Sequence, residues 1–398
     1  MPSPHGIGTC IGSTISIVII PPGTWNVTGL TITQSNVKIV GFGWGLSVIN
    51  GTTADDIIID VGTFKQNILI KGLTITRSVT GTSGGYNIRF QANVNRCEVR
   101  DCIIEKGWRG ASLTATAYSL IRNCIFQECV GDGCRLEGDG ATAAHQWNFL
   151  GVLFQKNGDH GFRAVSTTGA SQMIVGEMIY VMTALNSGRG LSFVGLEDCP
   201  VQDVRVRNSF LGSDGHDELF LATYGKFHMI SDTFFEQAGR TATGPDLSTV
   251  ASGVGNGIEI TSNNQQVMVN GCNISACSEH GIFGAGTILQ IHNTRILDCG
   301  LSTGTYSGIR STATLTLLTA IVAGNTGGGS TQNYGVSVGN GVNLTMGFCI
   351  LFDNAGQFTA TPVVTSAPRR SKDTWCRRLR CRRRAWRGKR ALPGRAAA

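Results

Sequence analysis

KNGDHGFRAV, residues 156–165, carries two signals of different kinds. Asp159 and His160, adjacent and set between glycines, have the chemistry of an active-site turn, whereas Gly161-Phe162-Arg163-Ala164 has the alternation of a half-buried strand. The strand signal recurs. A turn, a glycine or its substitute, and an apolar-x-apolar run return as YNIRF, RGASL, DGCRL, RGLSFV, DELFL, NGIEI, HGIFG, SGIRS and YGVSV between residues 86 and 338. The position before the first strand residue falls at Asn87, Gly110, Gly133, Gly161, Gly190, Glu218, Gly257, Gly281, Gly308 and Gly335. Apart from the 39 residues between Glu218 and Gly257, every interval lies between 23 and 29. Self-similarity at this period marks a solenoid, in which each repeat buries its apolar face only against its neighbours.

A second strand precedes each of these runs, as in VRDCII (99–104), IRNCIF, VLFQKN, VRNSFL, GCNISA, HNTRIL and FCILFDN. Near the start, GLTIT occurs at 29–33 and again at 72–76, which predicts two coils of 21 or 22 residues between them. Two or three short strands per repeat with no helix between them predict parallel ladders, coil on coil, about 4.8 Å apart. Alternation then assigns the faces: Cys134 and Leu136 inward with Arg135 outward, and Ile258, Ile260, Ile282, Val336 and Val338 inward.

Composition agrees with an all-β chain: 398 residues hold 54 glycines and only 15% charged residues. The formal charge of +7 is misleading, because residues 369–398 contain 13 of the 33 Lys and Arg and one acidic residue, Asp373. Residues 1–368 therefore keep 20 basic and 25 acidic side chains, a net −5, which argues against nucleic-acid binding by the folded body. The basic segment lacks apolar periodicity and is expected to be a disordered tail foreign to the domain. No apolar run reaches 18 residues, so no membrane span is expected, and ISIVII (15–20) reads as a buried strand. Thirteen cysteines scattered through strand-like segments read as small core residues, with neither disulfides nor a zinc site expected.

The opening IVIIPPGTWNVTGLTITQSNVKIVGFG (17–43), an apolar strand followed by PPG-T-aromatic and G-x-G, resembles the first coils of right-handed parallel β-helix proteins of the pectate-lyase-like superfamily. With the repeats, the resemblance covers residues 14–356. It implies a single-stranded, right-handed parallel β-helix of about twelve coils, after a short lead at 1–13 and before a linker at 357–368 and the tail at 369–398. It also implies an extracellular, cell-surface or virion-associated protein that takes a polysaccharide as partner and admits a homotrimer. Activity is less specified, since lyases, hydrolases, phage tailspikes and non-catalytic adhesins share the fold.

Aligning the repeats stacks Arg109, Asp132, His160, Arg189, Asp217, Asn256 and His280 in one column and Trp108, Asp159, His216 and Glu279 in the next. Asp and Asn favour turns for local reasons. Three consecutive coils with carboxylates, imidazoles and a guanidinium nevertheless form a stripe suited to polysaccharide chemistry. The expected catalytic set is Asp132, Asp159, His160 and Asp217. The expected substrate contacts are Trp108, Arg109, Arg189, His216 and Glu218. For a hydrolase, Asp159 and Asp132 form the two-carboxylate pair, with Arg189 on a sugar carboxylate. For a lyase, the acidic cluster holds Ca²⁺ against a uronate, with Arg189 or Lys156 near the abstracted proton. The ordered motifs of polygalacturonases are absent: Asp55-Asp56 stands far too early, and GDHG (158–161) and DGHDE (214–218) match them only in part. Trp108 and Trp147 are expected in turns near the stripe, Trp25 and Trp44 within the first coils, and GRTATGPDLSTVASG (239–253) as a strandless loop overhanging it. The rival reading is a non-catalytic structural or adhesive β-helix, of a phage tail or a cell surface.

Overall fold

The computed structural model describes residues 16–364 except 80, 82–83, 139–144, 167–172, 198, 244–248, 253, 262–265, 286–287, 303–305, 325–333, 353, 355 and 360–362. Three long sheets run through it. The first extends from Ser16–Ile20 to Val363–Val364, the second from Gly23–Val27 to Ile350–Phe352, and the third from Leu30–Ile32 to Gly356–Thr359. The second and third have 13 strands each and the first has 16, all paired in parallel with the coils before and after. This is a parallel β-helix.

The register of the third sheet is the one the repeats predict. Cys134 pairs with Phe162, Phe162 with Leu191, Leu191 with Leu219, Leu219 with Ile258, Ile258 with Ile282 and Ile282 with Ile309. Inward residues are buried as alternation requires: Cys134, Leu136, Ile258, Ile260, Ile282 and Val336 at 0%, with Arg135 pointing out. The glycine column has a steric cause. A Cβ on Gly133 would stand 2.6 Å from the carbonyl oxygen of Gly161, and one on Gly161 2.7 Å from that of Gly190. Consecutive coils approach too closely there for an ordinary side chain.

Corners between the first and second sheets turn on a single left-handed residue, Asp101, Asn123, Asn208, Asp232 and Asn293 among them, with φ of 49–53°. Asn and Asp tolerate that region better than most residues. The next residue is small and points inward: Cys102, Cys124, Ser209, Thr233, Cys272 or Thr294. Its S–H or O–H donates to the carbonyl two residues back, at 2.8 Å in Ser209 and Thr233 and 3.1 Å in Cys102. Cys102, Cys124 and Cys272 thus serve as corner residues, and no disulfide joins the ten cysteines that are described.

Several expectations need correction. The two GLTIT segments are not equivalent coils, because Leu30–Ile32 lies in the third sheet and Thr74–Arg77 in the second; both simply satisfy the same local strand pattern. ISIVII is only half buried, since Ile17 and Ile19 on the terminal strand are exposed. Trp147 is no turn residue. It is fully buried in His145–Leu150, its indole N–H donating to Thr116 Oγ1, while Trp44 is exposed and Trp25 packs partly against the core. Residues 239–253 contain an antiparallel pair, Arg240–Thr243 with Thr249–Ser252, in place of a strandless loop. Paired strands continue through Thr359 and Val364 into the stretch expected as linker, and the lead and basic tail lie outside the described residues.

Candidate functional site

KNGDHGFRAV resolves into structural and exposed positions. Lys156, at φ 54°, is the corner between the second and third sheets, and Asn157 begins a buried amide ladder. Asn157 Nδ2 donates to Asn186 Oδ1 at 2.8 Å, and Asn186 Nδ2 to Asp214 Oδ1 at 2.8 Å. Three coils are clamped at that corner, which leaves Asp159 and His160 at the lip of the third sheet.

There Asp132, Asp159 and His160 converge, one ligand-type atom of each lying within 4.8 Å of the others. Asp132 is only 2% exposed. Its Oδ1 accepts the backbone N–H of His160 at 3.3 Å, and Arg135 lies 3.6 Å from Oδ2. Asp159, by contrast, has 45% of its side chain exposed and hydrogen-bonds His160 Nδ1. The two carboxyls are displaced in opposite directions: burial raises that of Asp132, and the His160 hydrogen bond lowers that of Asp159. Such a divergence separates a proton-holding from an ionised carboxyl. The donor set does not suit Ca²⁺, which takes six to eight oxygens. Here one donor is an imidazole, and Arg135 and Arg163, 3.6 and 4.0 Å away, already neutralise the carboxylates.

Asp217 does not join this cluster. It sits three coils from Asp132, 3% exposed, bridging Arg189 Nε at 2.9 Å and the Asn256 backbone N–H at 2.8 Å. It is a brace between coils. Arg189 in turn lies over Phe220, its guanidinium carbon 3.6 Å from the ring centroid. Trp108 and Arg109 are half-buried; Arg109 reaches Glu137 at 3.4 Å and lies over Tyr86. His216 is exposed, and its carbonyl accepts the Gly239 N–H at 2.8 Å, which roots the 240–252 strand pair beside the stripe.

Glu218 overturns its expected role as a substrate contact. It replaces glycine in the crowded column, and its side chain is fully buried, Oε1 accepting the Asp214 backbone N–H at 3.2 Å and Oε2 having no hydrogen-bond partner among the described residues. Burial, then the neighbouring Asp214, raises its carboxyl well above the ordinary 4.5. The folded state therefore binds the proton more tightly than the unfolded one, so this group's stabilisation is full below the unfolded value and disappears as pH rises through the folded one. Glu218→Gln, with an amide that cannot ionise, is expected to raise stability at pH 8 by about 1–3 kcal/mol and to flatten the pH dependence. Thermal melts of both proteins from pH 4 to 9 would check this, and parallel curves would refute it.

Sequence reasoning missed Glu259. It projects from the outer face of the third sheet, in register with Phe220 and Phe283, and burial followed by the Asp217 charge raises its carboxyl to about 8. Its coil places Glu where others place Arg, Ser or Phe, a variation that alignment of the outward column would have exposed.

No protein-family model and no curated protein sequence matches the chain. Solved structures do match in fold. The catalytic unit of a thermostable GH87 α-1,3-glucanase from Streptomyces thermodiastaticus strain HF3-3 is 14% identical with a TM-score of 0.52, over 88% of this chain and 64% of that one. The Agl-KA catalytic domain is 15% identical, TM-score 0.54, over 88% and 62%. Tailspike protein 3 of bacteriophage CBA120 is 10% identical, TM-score 0.53, over 89% and 57%. The parallel β-helix is what they share. The chain spans less than two thirds of the length of each of these three. No helix among the described residues is long and apolar enough to cross a membrane.

Proposed function

We propose that the protein binds a polysaccharide along the outer face of the third sheet and hydrolyses it at Asp159. The observation that carries this reading is the convergence of an exposed, ionised Asp159 with His160 and the buried Asp132 at the lip of that face. Carboxyl groups about 5 Å apart suit glycoside hydrolysis with retention. Asp159 is the group that meets the sugar, as nucleophile or as stabiliser of the cationic transition state. His160 positions it through its imidazole, and Asp132, whose carboxyl burial raises, is the acid that gives its proton to the departing glycosidic oxygen as the bond to the leaving sugar breaks. A carboxyl lowered below its ordinary range is a poor base toward a carbon acid, which favours hydrolase over lyase. The glucanase and tailspike folds are compatible with an extracellular or virion-associated setting.

The second reading, a non-catalytic adhesive β-helix, draws on the burial of Asp132 and Asp217 and their use as braces. A panel of neutral and acidic polysaccharides separates the two. Release of reducing ends without absorbance from unsaturated uronates is the expected result; unsaturated products would replace hydrolysis by elimination, and binding with no product would leave the adhesin.

A further inference from the structure

Along the outer face of the third sheet and the turns that enter it, six arginines lie among the described residues, and all but one are ion-paired. Arg89 pairs with Asp60, Arg109 and Arg135 with Glu137, Arg163 with Asp159 and Arg189 with Asp217. Arg310 is exposed and forms no ion pair among the described residues. Its guanidinium lies 5.6 Å from the ring centroid of Phe283 on the preceding coil. Phe283 also stacks with His280, ring centroids 5.7 Å apart, and His280 in turn meets Tyr306 edge-on at 5.3 Å.

We propose that Arg310 and Phe283 form a subsite for an anionic sugar unit, the guanidinium binding its carboxylate or sulfate and the partly exposed ring of Phe283 packing against its C–H groups. This rests on the polysaccharide reading above and names its substrate class. A guanidinium fork matches such an anion with two parallel hydrogen bonds, and the part of the ring left open beside it supplies apolar contact. Phe220, Glu259, Phe283 and Arg310 follow one another in register on successive coils, so a second ring, Phe220 under Arg189, stands two coils before Phe283. Glu259 between the rings, its carboxyl raised to about 8, largely keeps its proton at neutral pH and does not repel an anion there. Arg310 lies five coils from Phe162, beside Asp159, a span of roughly 24 Å. A chain lying along the solenoid axis would meet both.

The test is titration of the full chain, wild type and Arg310→Gln, with oligogalacturonate, its carboxyl-reduced neutral form, and a sulfated dextran oligomer. Removing a charge-assisted contact is expected to weaken binding of the anionic oligomer by about tenfold or more, with the neutral form unchanged. Phe283→Ala should weaken both forms. Selective loss with oligogalacturonate assigns a carboxylate ligand, and loss with the dextran oligomer a sulfate. Anionic binding undiminished by Arg310→Gln, or wild-type binding confined to the neutral form, overturns the subsite and leaves the wider reading standing. Failure of the wild type to bind any of the three also overturns the subsite, and the panel of neutral and acidic polysaccharides decides the polysaccharide reading separately. Because Arg310 is exposed, a matching melting temperature will show that Arg310→Gln is folded.

Discussion

Asp159→Asn is expected to lower turnover by about 10³-fold, within the range of one positioned acid, base or nucleophile, and to leave the fold intact. The substitution is nearly isosteric, and 45% of the side chain is in solvent, so the core does not register it. What disappears is the charge on a carboxyl that the His160 hydrogen bond holds below its ordinary range. Binding of oligosaccharide should persist, because Arg310 and Phe283 lie coils away. The measurement is reducing-end release by wild type and variant on whichever polysaccharide the wild type cleaves, with circular dichroism as the control for folding. Turnover within about threefold of wild type would remove Asp159 from the reaction.

Phe162→Ala, three residues further on, should act on stability instead, costing about 3–5 kcal/mol. The ring is fully buried and sits edge-on to Phe149 at 4.9 Å, with Phe193 at 5.6 Å and Phe154 at 6.1 Å. These rings belong to all three sheets. A void there has walls that cannot close without shifting three ladders together. In a solenoid each coil is stabilised mainly by its neighbours, so the damage should also spread to the Asp132–Asp159–His160 turn beside it. Denaturant titration gives the stability change, and a loss under about 1 kcal/mol would show that the aromatic core repacks around the gap.

Much of this was legible in the residues. Spacing of 23 to 29 between glycines gave both the solenoid and the register of its third sheet, because a strand period of two and a steric demand for glycine both leave local marks in a sequence. The inward set from Cys134 to Val336 followed from the same alternation. The period failed where it was least constrained: two GLTIT segments looked equivalent and belong to different sheets, since local pattern specifies a strand and not the sheet it joins.

The candidate site divides along the same line. Stacking of Asp132, His160, Arg189 and Asp217 in one column was readable, because ladder pairing carries a residue's neighbour on to the next coil at fixed spacing. Which of them meet solvent was not. Asp132 and Asp217 are buried under backbone and arginine contacts, and Asp159, one residue off the column, is the exposed carboxylate. Glu218 turns inward against Asp214, and Glu259 outward beside Phe283. Sequence by itself determined the coil, its register and its core, which depend on repeating local constraints. Tertiary structure alone decided which acidic side chain faces water, because that depends on partners contributed by other coils, 28 residues away for Arg189 with Asp217 and 39 for Asn256 with Asp217.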